Sequence, residues 1–559
     1  MPFLRHAASA TRSRGIGSHS AVPAAIVAAF VLLPIGALLI LSLGDSSDVW
    51  RHLYTTVLPR SLSTTALLLA GVGAVTLAIG TMTAWLISRY RFFGSDILSW
   101  LLVMPLSIPT YVAAYCAIEA FGFTGPFQET VRWLGGYRAP SEYWFPEIRS
   151  IPGAVVTMSL VLYPYVYLPC RLAFSRQAGA AIESARLLGA GNLRVFARIA
   201  LPLARPAAAA GVTLAMLETL NDIGAVEILG VRSLSFTIYD TWLNRSSLAG
   251  AAQIACVTLL FVALLIWAER VLRRDRRYAV RGTVELVKLP LAGAGNVLAF
   301  VACAAPVVLG LGVPLAILVR AALHRLDALS DYALAEAATN SLIFAAATGV
   351  MAVACGLAIA KSDTKSATGS LAARLALLGY ALPGSVLAIG MLYAVTTFDN
   401  KLDAIMRSWA GLSTGLLISG TVLILIYAAT VRFLSVAYGA IDTGRAGIGE
   451  HVIWASRALG RSAARTAISV ELPLLARAMA AGALLVFVDT MKELPATLIL
   501  RPFGFSTLAT VIYEKASQGR FEEGAFAALF IIAIGAAALL AMGGVWARFE
   551  AGQKERAGQ

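Results

Sequence analysis

Four carboxylates stand out in a chain with few charges: Glu218, Asp222, Asp489 and Glu493 lie inside long apolar stretches, as two pairs that coincide when the sequence is shifted by 271 positions. Each pair is spaced four apart, which on a helix puts both acids on one face, one turn above the other. An ionised carboxylate costs at least ~2.5 kcal/mol against lipid, so the four must face a cavity or partners rather than acyl chains. Gathered around a path, such hard oxygen donors would attract a hard trivalent cation. Neutralisation by Lys492, Arg501 or neighbouring helices would account for them equally well, because buried acids are often simply paired. Lys492 alone cannot serve four acids. Glu227, which the same shift aligns with Leu498, breaks the symmetry and reads as local structure.

The shift of 271 also superimposes two polar loops. Glu183-Ser184-Ala185-Arg186-Leu187-Leu188-Gly189 leads to Ile199-Ala200-Leu201-Pro202, and Trp454-Ala455-Ser456-Arg457-Ala458-Leu459-Gly460 leads to Val470-Glu471-Leu472-Pro473. Both keep thirteen residues from Gly to Pro. Gly189 and Gly460 permit a turn or a close backbone approach, and Pro202 and Pro473 suit the first turn of the helix that comes next. Arg186, Arg194 and Arg198, with Arg457, Arg461 and Arg465, charge the loops for an acidic partner or for lipid headgroups. A generic basic loop would explain the arginines but not a repeated Gly-to-Pro spacing.

The elements that must position these residues are membrane helices. With 58% hydrophobic and 14% charged residues and a mean hydropathy of +0.77, a soluble protein of 559 residues could not cover itself with polar surface. About 20 apolar residues are needed per crossing. Twelve such runs are expected, from one starting near Val22 to one near Gly524, with the tenth near Leu412. The expected architecture is all-α and polytopic, with two tandem six-helix halves. Because six is even, both halves face the same way and would be related by a pseudo-two-fold axis along the membrane normal. The divisions are a leader over 1–20, a first half over 21–275, a linker over 276–289, a second half over 290–547 and a tail over 548–559. Placing both loops inside puts Lys and Arg on that side about two to one, so the termini are expected in the cytoplasm. The net charge of +14 is then a topology signal. No basic stretch is interleaved with base-stacking aromatics, so nucleic acid is not an expected partner.

Enzyme motifs fail. There is no G-x-x-x-x-G-K-[ST] and no Gly-Lys dipeptide, so the chain builds no P-loop. The five histidines never pair at metal-ligand spacing. Gly411-Leu412-Ser413-Thr414-Gly415 matches G-x-S-x-G but would open an apolar span, where a nucleophile elbow needs a strand-to-helix turn. No cofactor is expected. The five cysteines lie in or beside apolar spans without a C-x-x-C pair and read as small buried side chains. The apolar run from Val22 has spanning length and is expected to remain as the first helix.

The loop pattern E-x-A-x-x-x-G followed by I-x-L-P resembles the cytoplasmic signature of inner-membrane permeases of binding-protein-dependent ABC importers. The resemblance implies that Glu183, Ala185, Gly189 and Pro202, and Trp454, Ser456, Gly460 and Pro473, belong to coupling helices gripped by an ATPase subunit, present in two copies. Trp454 stands where the family has Glu, so the two docking sites would be chemically unequal. The run Val488-Asp489-Thr490-Met491-Lys492-Glu493-Leu494-Pro495-Ala496-Thr497, with Ser506-Thr507-Leu508-Ala509-Thr510 and Tyr513-Glu514, is similar to the fused permeases of ferric-iron ABC importers. That likeness implies ferric iron as substrate, a periplasmic solute-binding protein as partner and a multi-pass place among the lipids of the inner membrane. Permeases for thiamine, sulfate or phosphonate share the loops and remain alternatives. A secondary transporter could also carry parallel repeats and buried acids, but has no need of paired coupling loops.

Overall fold

The computed structural model describes residues 20–45, 47–176, 179–274, 288–362 and 366–557. The leader expected over 1–20 and the linker expected over 276–289 fall almost wholly outside the described residues. Among the described residues nine helices are long and apolar enough to cross a membrane, and three bent helix pairs pass as broken spans. Taken in order they make twelve. The third and ninth are broken by 98° and 114°, and the fourth by 47°. The breaks at Pro109 and Pro383 have one cause: proline lacks the N–H a helix needs and pushes the residue before it to extended geometry. Ile108 and Leu382 have ψ of 121° and 125°, and Pro109 and Pro383 both have ψ of 141°.

Among the short helices between the spans are α1 (Gly179–Leu187), α2 (Gly224–Ile228), α3 (Leu234–Leu243), α4 (Glu450–Ala458), α5 (Pro495–Leu500) and α6 (Leu508–Ser517). The first three and the last three occupy corresponding places in the two halves, and α1 and α2 start 271 positions before α4 and α5. The spans repeat in the same way. The second, fourth and fifth pack on one another, as do the eighth, tenth and eleventh. Small residues allow this. A Cβ on Gly211 of the fifth span would stand 2.5 Å from the Tyr165 carbonyl oxygen, and one on its counterpart Gly482 would stand 3.2 Å from the Ala440 Cβ.

The first span, Val22–Ser42, packs across the molecule on the ninth, and its Phe30 stacks on Tyr427 of the tenth at 3.8 Å between ring centroids. One expectation is corrected. The tenth span begins at Val422 rather than near Leu412, because residues 411–421 are an irregular segment tied down by acids. The Asp403 Oδ1 accepts from the Thr414 and Gly415 N–H groups, and Asp399 Oδ2 from those of Ile418 and Ser419. The G-x-S-x-G match therefore lies in a loop, where Ser413 donates to Asp403. The last helix, Phe521–Ala557, runs on into the stretch expected as a tail over 548–559.

Candidate functional site

The fifth span ends at Asn221 and the eleventh at Met491. The second acid of each pair therefore lies beyond its helix, not one turn above the first as expected. Asp222 has extended geometry, and its Oδ1 accepts from the Ala225 N–H at 2.8 Å. Glu493 accepts from the Ala496 N–H at 2.9 Å and the Thr497 N–H at 3.0 Å. Both acids thus cover the otherwise unsatisfied N–H groups at the starts of α2 and α5, where the helix dipole also favours a negative charge.

The breaks of the third and ninth spans meet these span ends. Thr110 donates its hydroxyl to Asp222 Oδ2, and Gly384 donates its N–H to Asn221 Oδ1 at 2.5 Å. At this meeting point lies a cavity of about 80 Å3, lined by all four acids with Asn221, Arg432, Lys492, Thr110, Tyr111 and Tyr165. The structure thus brings Glu218, Asp222, Asp489 and Glu493 to one chamber. Among the described residues, however, no three His, Cys, Asp or Glu side chains converge at metal-ligand geometry.

Partners explain why. Arg432 Nη1 bonds Glu493 Oε1 at 2.9 Å, with side-chain exposures of 8% and 2%. Lys492 Nζ lies 2.9 Å from Asp489 Oδ1. Among the described residues Glu218 has only a phenol, the Tyr380 hydroxyl at 3.3 Å. Arg501, a candidate counter-charge by sequence, instead pairs with Glu514 outside the chamber. Arg432 was missed by the sequence reading although a lone arginine within the apolar run of the tenth span was itself a signal.

The loop residues also fall together. Gly189 and Gly460 end α1 and α4 with φ of +82° and +80°. In each, the glycine N–H bonds back to Arg186 or Arg457, and the next N–H to Ala185 or Ser456. Nothing lies within 4 Å of an added Cβ at either position. Left-handed geometry, not close approach within the chain, requires the glycines. The prolines are corrected too. Pro202 and Pro473 lie inside a continuous helix, just after the wide turns Phe196–Ala200 and Ala467–Glu471. A proline cannot donate to the fourth carbonyl back, and the wide turn accommodates that loss. Leu188 and Leu459, equivalent under the shift, are 88% and 82% exposed, and Trp454 is also exposed. Ser456 bonds Thr466 at 3.1 Å, whereas Ala185 and Val195 at the equivalent places join an apolar cluster. The backbone of Glu183 belongs to α1, but its side chain lies outside the described residues.

Comparison with known proteins agrees with this arrangement. Residues 76–278 match the family described as the binding-protein-dependent transport system inner membrane component. An Fe(3+)-transport system permease of Haemophilus influenzae is 25% identical over 84% of this chain and 87% of its own length. The molybdenum transport system permease of Escherichia coli is 31% identical over 35% of this chain and 87% of its own length. A sulfate transport system permease of Escherichia coli is 28% identical over 34% of this chain and 67% of its own. With the likeness to the iron permease running through both halves, the chain belongs to the inner-membrane components of binding-protein-dependent ABC importers, as a permease that fuses two membrane halves in one polypeptide.

Proposed function

We propose that this permease passes ferric iron from a periplasmic solute-binding protein to the cytoplasm, driven by two copies of a separate ATPase that grip α1 and α4. The observation that carries the substrate is the charge of the chamber: four carboxylates face two cations, Arg432 and Lys492. A negative surplus favours a cation and disfavours an oxyanion such as molybdate or sulfate, because unscreened charges in a low-dielectric chamber act strongly. Three of the four acids are already engaged, two as helix caps and one by Lys492. Glu218 is the one left for a passing ion.

The halves would rock about this chamber. Approach of the ATPase subunits would draw α1 and α4 together and open the far side, and hydrolysis would reverse the motion. The path is exposed to one side at a time. Both termini lie in the cytoplasm on this reading, because the basic residues gather on the loop side. The exposed Leu188, Leu459 and Trp454 are apolar surface for the partner to cover.

Uptake of labelled ferric iron, molybdate and sulfate into cells that lack their own systems tests the substrate. Iron alone is expected, and it should fall about tenfold in Glu218→Gln, the effect of about 1.4 kcal/mol at the barrier, with expression and ATPase binding unchanged. Molybdate or sulfate uptake without iron uptake would sink the reading. Gly189→Trp and Gly460→Trp should lose ATPase co-purification while the chain stays in the membrane.

A further inference from the structure

The helices α3 and α6 lie at the end of the molecule away from the coupling loops. Leu234 N donates to Thr65 Oγ1 and Thr237 bonds Ser61, near the start of the second span; Leu508 N donates to Ser341 Oγ in the eighth. The opposite end of the second span meets Arg171, close to α1, through Ser88. On this far side the two halves touch through an oxygen cluster. Tyr239 and Tyr513 are each the sixth residue of their ten-residue helices, so they are equivalent positions of the repeat. Tyr513 donates its hydroxyl to Glu227 Oε2 of α2, and Tyr239 lies beside Tyr513.

The charges around this cluster are uneven. The acids next in sequence to the two tyrosines are paired, Asp240 with Arg245 at 3.6 Å and Glu514 with Arg501. Glu227 forms no ion pair among the described residues, although it is half-buried. A buried carboxylate is ordinarily balanced by a cation or bound to a metal. Here two phenols and one carboxylate, all hard oxygen donors, converge between the halves, and α2 leads directly from them to the chamber acid Asp222.

We propose that Glu227, Tyr239 and Tyr513 form a receiving site for a hard trivalent cation at the outer mouth of the path, ahead of the chamber. The assignment rests on the ferric-iron reading. Phenolate and carboxylate oxygens suit such an ion, and its binding would release the two phenol protons to water. The closed arrangement keeps the donors together through the Tyr513–Glu227 hydrogen bond, and parting of the halves would expose them. The single acid comes from the first half, so the site is occupied once, on the seam.

The test uses the whole transporter, this chain with its ATPase and binding protein in lipid nanodiscs, and ferric nitrilotriacetate as probe. Iron bound to tyrosine gives a visible charge-transfer band. The band is expected in the wild type, at rest or trapped open with vanadate. It should vanish in the Tyr239→Phe/Tyr513→Phe double variant and persist in Glu218→Gln. Glu227→Gln should weaken iron affinity about tenfold or more. Tyr239→Phe alone, which keeps the Tyr513–Glu227 bond, should lower the band intensity without abolishing it. Iron uptake by a wild type that shows no band in either state, or a band that survives the double variant, overturns the site alone. Uptake of an oxyanion in place of iron overturns the substrate reading and the site with it.

Discussion

The two walls of the chamber begin from one pattern and end with different electrostatics. In the first half Asp222 caps α2 with help from a neutral hydroxyl, Thr110. In the second, Glu493 caps α5 while holding the guanidinium of Arg432, whose counterpart under the shift is Val161. Where Lys492 neutralises Asp489, the first half has Asn221, whose side chain bonds the ninth span instead. Backbone geometry has been kept across the repeat and charge has not. Equivalent acids therefore have unequal duties: those of the second half are fixed in ion pairs, and the first half retains Glu218, held among the described residues only by a phenol.

The largest effect should come from breaking the second wall. Arg432→Met leaves a buried carboxylate without its cation and should cost about 3–5 kcal/mol, read as a fall in the melting temperature of the purified chain. Arg432→Met/Glu493→Leu should recover a large part of that loss, and no recovery would mean the pair is not the cause. The first wall should respond less. Asp222→Ala removes a cap and the acceptor of Thr110, worth about 2 kcal/mol, the upper end for a helix cap. An equal loss in the two walls would erase the contrast between them.

The coupling loops sharpen the comparison from the other side, because there the backbone is alike. Gly189→Ala and Gly460→Ala force a side chain into left-handed geometry and should each cost about 1–2 kcal/mol, by the same amount in both loops. The smallest difference lies two residues beyond the glycines. Ser462 caps the next short helix by accepting from the Arg465 N–H, where the first loop has Gly191. Ser462→Ala should therefore lower stability by about 0.5 kcal/mol, measured by thermal unfolding against Gly191→Ala as the matched control.

Much of this architecture was legible in the residues. The offset of 271 marked both loops and both acid pairs, because a repeated backbone needs its glycines, prolines and caps at the same places. The count of twelve runs came from hydropathy, which reports burial in lipid. Hydropathy is blind to direction, however, and so the fractures at Pro109 and Pro383 and the end of the fifth span at Asn221 were hidden inside apolar runs. The face shared by Glu218 and Asp222 was lost for that reason. Arg432 escaped because its partner Glu493 lies 61 residues away and its own counterpart under the shift is the uncharged Val161. Tyr239 was not singled out, and Tyr513 stood out only for its place in the family-like run, because aromatic residues in apolar surroundings look like packing until the two halves are seen to meet.

The placement of the first span has a consequence for how the protein is made. Val22–Ser42 leaves the ribosome well ahead of its neighbour, since Phe30 is matched with Tyr427, 397 residues later. At roughly 5–20 residues per second of synthesis, the first span waits about 20–80 s in the bilayer for its neighbour. During that interval its packing face is open to any other helix inserting nearby. Joining the halves in one chain keeps the awaited neighbour tethered to the helix that waits, so that assembly does not depend on the concentration of a second polypeptide.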